Sequence, residues 1–284
     1  MKNRLREKYK NGEVAIGTFF SMGDMNCMEC LGFSGMDYVI IDTEHGPYDT
    51  ESMMNLIRVA EGVNLSPIVR IADVTHKEIQ RAADCGADGL IVPCLRTVDE
   101  YRRLVDLAKF APIGNRGFIK GRGSSFGNQE WASGTLEEYM ANSNEKLMLL
   151  PQCETVESLE AIEEIVAIEG IDGIFIGPFD LSISMGIPAK FDAPEFTAAI
   201  ERIIAACRAV KKPVYVYTNN PAESKLRMAQ GADGIACSIT SIVFSDAYKK
   251  LVKEIKEEAY WNINYGSSLQ RGTRAANGWS SAAS

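Results

Sequence analysis

Histidine is scarce in this 284-residue chain, which carries two, His45 and His76. Seven cysteines (27, 30, 85, 94, 153, 207 and 237) include one CxxC pair, Cys27 and Cys30, with no second pair, so a structural zinc site lacks its usual ligands. The odd count, scattered through apolar stretches, reads as buried thiols in a reducing, cytoplasmic compartment. No charge-free apolar run approaches the ~18 residues of a spanning helix, and the opening MKNRLREKYKNGE has no apolar signal core. Glycine-rich nucleotide cradles of the GxGxxG and Walker types are missing. Basic charge is also short: 30 Lys and Arg stand against 38 Asp and Glu, a net charge of −8. The densest basic stretch, Arg116 to Arg122, is interrupted by Gly and Phe, so neither nucleic acid nor an anionic membrane is an expected partner.

What is present is alternation. Short apolar runs at 14–20, 37–42, 66–71, 89–94, 147–154, 173–178, 213–218 and 234–239 read as eight strands. They are continuously apolar rather than alternating, as parallel strands covered on both faces must be. Amphipathic segments at 51–61, 77–85, 98–110, 156–167, 195–210, 222–230 and 244–260 separate or follow them as helices. One phrase recurs before four strands: Gly35-Met-Asp37, Gly86-Ala-Asp88, Gly170-Ile-Asp172 and Gly231-Ala-Asp233. Glycine there ends a helix in the left-handed region before the chain turns into a buried strand. The phrases precede the even-numbered strands, so a βα pair repeats four times and predicts a (β/α)8 TIM barrel over residues 1–260. Residues 261–284 are left as a polar tail. An excess at 111–144, rich in Gly, Ser and Asn, reads as a long loop.

Active sites of such barrels lie at the carboxyl ends of the strands. Glu154 and Asp180 end or follow adjacent strands, where two carboxylates can reach one hard divalent cation such as Mg2+, Mn2+ or Co2+. Asp180 has an alternative use as the cap of the next helix. His45, after strand 2, is placed as an acid or base near neutral pH, with a packed structural role as its alternative. His76 sits at a helix start capped by Thr75 and reads as surface. Arg70, at the end of strand 3, is suited to a substrate carboxylate; an internal salt bridge to Asp42 or Glu44 is equally open. No lysine lies in any strand run, so imine-forming catalysis has no nucleophile. A metal, a carboxylate-reading Arg and an imidazole together suit enolate chemistry on a 2-oxo acid.

The phrases IDTEHGPYD (41–49), PIVRIAD (67–73), AADCGADGLIVP (82–93), GNRGF (114–118), ANSNEKLMLLPQCET (141–155) and GIDGIFIGPFDLSISMGIP (170–188) resemble the HpcH/HpaI aldolases, metal-dependent class II pyruvate aldolases. The resemblance runs over about residues 5 to 255. It implies cleavage of a 4-hydroxy-2-oxo acid to pyruvate and an aldehyde. Glu154 and Asp180 would be the metal ligands, Arg70 the carboxylate anchor and Gln152 a guide for the 2-oxo group, with Gly177, Pro178 and Phe179 beside the substrate. His45 would be the acid/base, with Asp42 and Asp84 to orient it, Asp84 from a neighbouring subunit. It further implies an exchanged eighth helix and dimers assembled into a hexamer, the 111–144 insertion reaching a neighbour's site. Departures fall on the aldehyde side: Phe179 stands where the family often has Ala, strand 7 ends YTNNP, and strand 8 ends CSITS where many relatives have Gly-Ser-Asp. Oxaloacetate decarboxylation, condensation of an enolate with another acceptor, and an inactive binding barrel are the competing expectations.

Overall fold

A computed structural model describes residues 3–261. Eight parallel strands close into a barrel in chain order: β1 (Ala15–Phe20), β2 (Tyr38–Asp42), β3 (Ser66–Arg70), β4 (Gly89–Val92), β5 (Met148–Cys153), β6 (Ile174–Ile176), β7 (Val214–Thr218) and β8 (Gly234–Ile239), with β8 pairing back onto β1. The helices α1 (Arg4–Lys10), α2 (Met25–Gly32), α3 (Thr50–Gly62), α4 (His76–Cys85), α5 (Val98–Ala108), α6 (Leu136–Lys146), α7 (Val156–Glu160), α8 (Ile162–Ala167), α9 (Pro178–Ser184), α10 (Pro194–Ala209) and α11 (Pro221–Gln230) follow in turn. Thr240 closes this unit; the residues from Ser241 form a second, to which all but the first residue of α12 (Thr240–Trp261) belongs. The expected tail lies outside the described residues apart from its first position.

Two apolar layers hold the barrel. Side chains at alternate positions, including Phe19, Tyr38, Ile40, Ile68, Ile91, Met148, Leu150, Phe175 and Tyr215, fill its interior, while their neighbours such as Val39, Ile41, Val69, Leu90, Leu149 and Val216 pack outward against the helices. Burial on both faces explains why the strand runs are continuously apolar. Leu5 of α1 is buried in the interior layer, which puts the charged opening segment under the amino end of the barrel.

The repeated phrase works through both of its fixed residues. Gly35, Gly86, Gly170 and Gly231 all have positive φ, 86°, 103°, 92° and 108°. The aspartate then pins the preceding strand: Asp37, Asp172 and Asp233 accept from the amides of Ile16, Leu149 and Val214. At the second repeat the corresponding residue is Pro67, which has no N–H, and Asp88 pairs instead with Lys146 at 2.7 Å. Arg6 and Lys8 of α1 add ion pairs to Asp172 and Asp37.

Three expectations change. The insertion is not a structureless loop: 3-10 turns at Arg122–Gly127 and Glu130–Ala132 lead into α6, and Phe110, Phe118, Trp131 and Tyr139 make a small aromatic core of their own. The stretch 156–167 is two helices, broken at Ala161. The cysteines are not uniformly buried, since Cys30 and Cys94 are exposed. Hydrophobicity alone hides this, because a helix face or strand end can turn one thiol outward while its neighbours stay covered.

Candidate active site

Strand register sets the first pair. Asp42 and Arg70 are direct partners across β2 and β3, and Arg70 donates to Asp42 through Nε (2.8 Å) and a terminal nitrogen (2.6 Å). Its other terminal nitrogen lies 3.2 Å from Glu44 Oε2, and its guanidinium covers the Phe19 ring at 4.7 Å. Burial works against the charge on Arg70, but the bonds to Asp42 outweigh it and hold its pKa above the ordinary value. The internal salt bridge considered for Arg70 is therefore made, to both carboxylates. Two of its five N–H groups are hydrogen-bonded, both to Asp42, and the contact with Glu44 is an ion pair without a hydrogen bond.

His45 is no packed structural histidine: its side chain is 71% exposed, with Nε2 3.8 Å from Glu44 Oε2. Asp42 touches His45 only through the backbone, accepting from the amides of Glu44 and His45 at 3.2 and 3.3 Å. It thus shapes the loop that carries the imidazole while its side chain grips Arg70. Glu44, half-buried, has a pKa raised chiefly by burial.

Glu154 follows β5 and is 3% exposed. Its Oε1 accepts from the amide of Cys94 at 2.5 Å and its Oε2 from the Gln152 side chain. Burial, then the nearby carboxylates Asp180 and Glu44, push its pKa up to about 7 against the pull of the Cys94 amide. Such crowding of acids is what a bound cation would relieve. Gln152 is buried, and its Oε1 has no hydrogen-bond partner. Gly177 is the N-cap of α9, and a Cβ there would fall 2.6 Å from Glu154 Oε2 and 2.9 Å from Gln152 Nε2. Pro178 and Phe179 open α9, and Asp180 follows in its first turn, exposed. Because the cap is Gly177, with no side-chain cap bond, Asp180 does not serve as the cap. Among the described residues no three His, Cys, Asp or Glu side chains are gathered to hold a metal; the barrel supplies the two carboxylates.

Asp84 is elsewhere within the chain. It lies near the end of α4, the turn that leads back to the amino end of β4, and pairs with Arg116 at 2.7 Å. His76 is exposed at the start of α4, capped by Thr75 as expected. Cys153, between two site residues, faces the outer core.

Two kinds of residue escaped sequence reasoning. Cys94 has φ of 60°, a left-handed conformation uncommon for a residue with a side chain, and its amide is what meets Glu154. No sequence signal marks it. Phe19 and Tyr217, the penultimate residues of β1 and β7, face inward; counting parity from the strand ends would have found them.

A parallel eightfold barrel with an arginine, a solvent-facing imidazole and crowded carboxylates at its carboxyl end is the architecture of a barrel enzyme acting on a small anionic substrate. The chain belongs to the HpcH/HpaI aldolase/citrate lyase family, whose model matches residues 15–247. It is 33% identical over 248 residues to a 2-keto-3-deoxy-L-rhamnonate aldolase of Escherichia coli O17:K52:H18, covering 87% of this chain and 91% of that one. Among solved structures it resembles an HpcH/HpaI aldolase from Desulfitobacterium hafniense DCB-2 (TM-score 0.82, 28% identity, 89% of this chain and 96% of that one). It also resembles the citrate synthase SbnG (TM-score 0.80, 28% identity, 90% and 98%).

Proposed function

We propose that this protein is a carbon–carbon lyase that cleaves a 4-hydroxy-2-oxo acid to pyruvate and an aldehyde, and runs the reverse addition. The observation that carries this reading is the buried Glu154, crowded by Asp180 and beside the open Oε1 of Gln152, at the same barrel mouth as Arg70. Family membership and the aldolase relatives support it.

Glu154 and Asp180 would hold Mg2+, Mn2+ or Co2+, an all-oxygen donor pair suited to a hard cation. When bound, the cation supplies fixed positive charge for the oxygen that becomes negative during reaction. Arg70, oriented by Asp42 and Glu44, offers its remaining N–H groups to the substrate carboxylate. Gln152 and Gly177 shape the floor beside Glu154, and Pro178 and Phe179 continue it. His45 takes the proton from the C4 hydroxyl. The C3–C4 bond then breaks, its electron pair forms the C2=C3 bond of pyruvate enolate, and the aldehyde departs. Protonation at C3 completes pyruvate.

In this reading the protein is a cytoplasmic homo-oligomer, dimers joined into a hexamer with the eighth helix exchanged. Asp84 and the 111–144 insertion would then serve a neighbour's site. The similarity to a citrate synthase favours a second reading on the same groups, in which the enolate comes from oxaloacetate or adds to another acceptor.

Exchange of the pyruvate methyl protons in deuterated water, followed by NMR, tests the enolate half. We expect exchange that needs a divalent cation and is lost in Glu154→Gln; metal-independent exchange, or none, overturns the proposal. Turnover of oxaloacetate without cleavage of any hydroxy-oxo acid would select the second reading.

A further inference from the structure

The mouth of the barrel has two unlike halves. Asp42 ends β2, Arg70 ends β3, Gln152 and Glu154 lie at the end of β5, and Asp180 sits in the first turn of α9, and together they make the polar half. Beside them, Phe19 of β1, Tyr217 of β7, Phe179 of α9 and Phe191 in the segment after α9 form a run of rings. Phe19 and Tyr217 meet at 5.8 Å with their planes at 66°. Tyr217 meets Phe179 at 6.0 Å, and Phe179 meets Phe191 edge-on at 5.0 Å and 86°. The run starts at the substrate anchor itself, since Arg70 lies over Phe19. It is accessible at its outer end, where Phe179 is 39% exposed. Contacts of this kind lock the rings together, and the exposed part of Phe179 is left for an apolar guest.

Resting on the aldolase reading above, we infer that the aldehyde partner of this enzyme is apolar, an aliphatic or aromatic aldehyde, and that Phe179 and Tyr217 select it. An aldehyde must approach C3 of pyruvate from the side that Arg70, Gln152 and Glu154 do not occupy, which is the side of the rings. Its substituent then lies along Tyr217 and Phe179, with the buried Phe19 behind them. A second carboxylate would need a cation there; among the described residues the cation set over this run is Arg70, turned toward Asp42 and Glu44. A polyhydroxy chain would need several hydrogen-bond partners, and the four rings offer one, the Tyr217 hydroxyl. Polar groups laid against ring faces lose their water without replacement. An apolar substituent gives up nothing and covers Phe179.

The test uses the full-length protein with Mn2+ and the pyruvate methyl exchange as its control. Aldol addition of pyruvate is then measured with benzaldehyde and isobutyraldehyde against glyceraldehyde and succinic semialdehyde. Expected is a kcat/KM at least about tenfold higher for the apolar pair, the scale on which apolar pockets discriminate. Phe179→Ala should cut the benzaldehyde-to-glyceraldehyde ratio by about tenfold, and Tyr217→Phe should keep it. A ratio does not depend on how much of a variant folds. Exchange with a preference for the polar acceptors, or a ratio unmoved in Phe179→Ala, overturns the inference and leaves the aldolase reading standing. Absence of exchange overturns both.

Discussion

The amide of Cys94 donates to Glu154 Oε1 at 2.5 Å, and it does so from a backbone held at φ of 60°. The turn after β4 thus spends local strain to orient a carboxylate that belongs to β5. Left-handed residues with a side chain cost on the order of 1–3 kcal/mol, and β-branched ones fare worst. Cys94→Gly should therefore stay within about 1 kcal/mol of the parent in stability and keep its activity. Cys94→Val should lose about 2 kcal/mol and most of its activity. Thermal denaturation of the two variants checks this, and equal stability would refute it.

Gly177 is required by space rather than by backbone conformation. A methyl group there would press on Glu154 Oε2 and Gln152 Nε2 at under 3 Å, and both belong to the buried floor. Displacing reacting groups by about an ångström costs on the order of a hundredfold in rate. Gly177→Ala should reduce activity by about that factor with an unchanged circular dichroism spectrum. Near-normal activity would show that the floor can yield.

With Glu154 as a metal ligand, as proposed above, metal binding would be coupled to pH. Its folded pKa, about 7, stands above the ordinary 4.5. The folded, metal-free protein therefore binds an extra proton between those values, and its stability falls as pH rises through that window. A cation held by Glu154 would bind the ionised form and reverse the loss. Added Mn2+ should raise the melting temperature more at pH 8 than at pH 5.5, and chelator should remove the difference. The same gain at both pH values would contradict it.

Lys109 anchors the insertion. Its buried ammonium donates to the carbonyls of Asn144 and Leu147 and to Asp172 Oδ2 at 2.8, 2.5 and 2.8 Å. Burial pulls its pKa down, against the charge of Asp172. Lys109→Ala takes this buried donor from the Asn144 and Leu147 carbonyls and its ion-pair partner from Asp172, and should cost about 3 kcal/mol by denaturant unfolding. A loss under about 1 kcal/mol would mean that Arg6, which also pairs with Asp172 at 2.8 Å, suffices on its own.

The eight strands, their order and the placing of His45, Arg70, Gln152, Glu154 and Asp180 at strand ends were legible in the sequence. Apolar runs, caps and the Gly-x-Asp phrase are local signals: a glycine at φ near 90°, or Thr75 bonding Glu78, depends on residues a few positions apart. Even Pro67, which redirects Asp88 to Lys146, acts through the simple lack of an N–H.

Which side chains meet was decided only by the closed barrel. Asp42 grips Arg70 because β2 and β3 pair in one register. Asp180 is left uncapped because Gly177 takes the cap position. Phe19 and Tyr217 are nearly two hundred positions apart, and they touch because closure pairs β8 with both β1 and β7. Sequence pattern reports the burial of one residue at a time, whereas a site is a set of distances between residues, and those exist only once the sheet has curled shut.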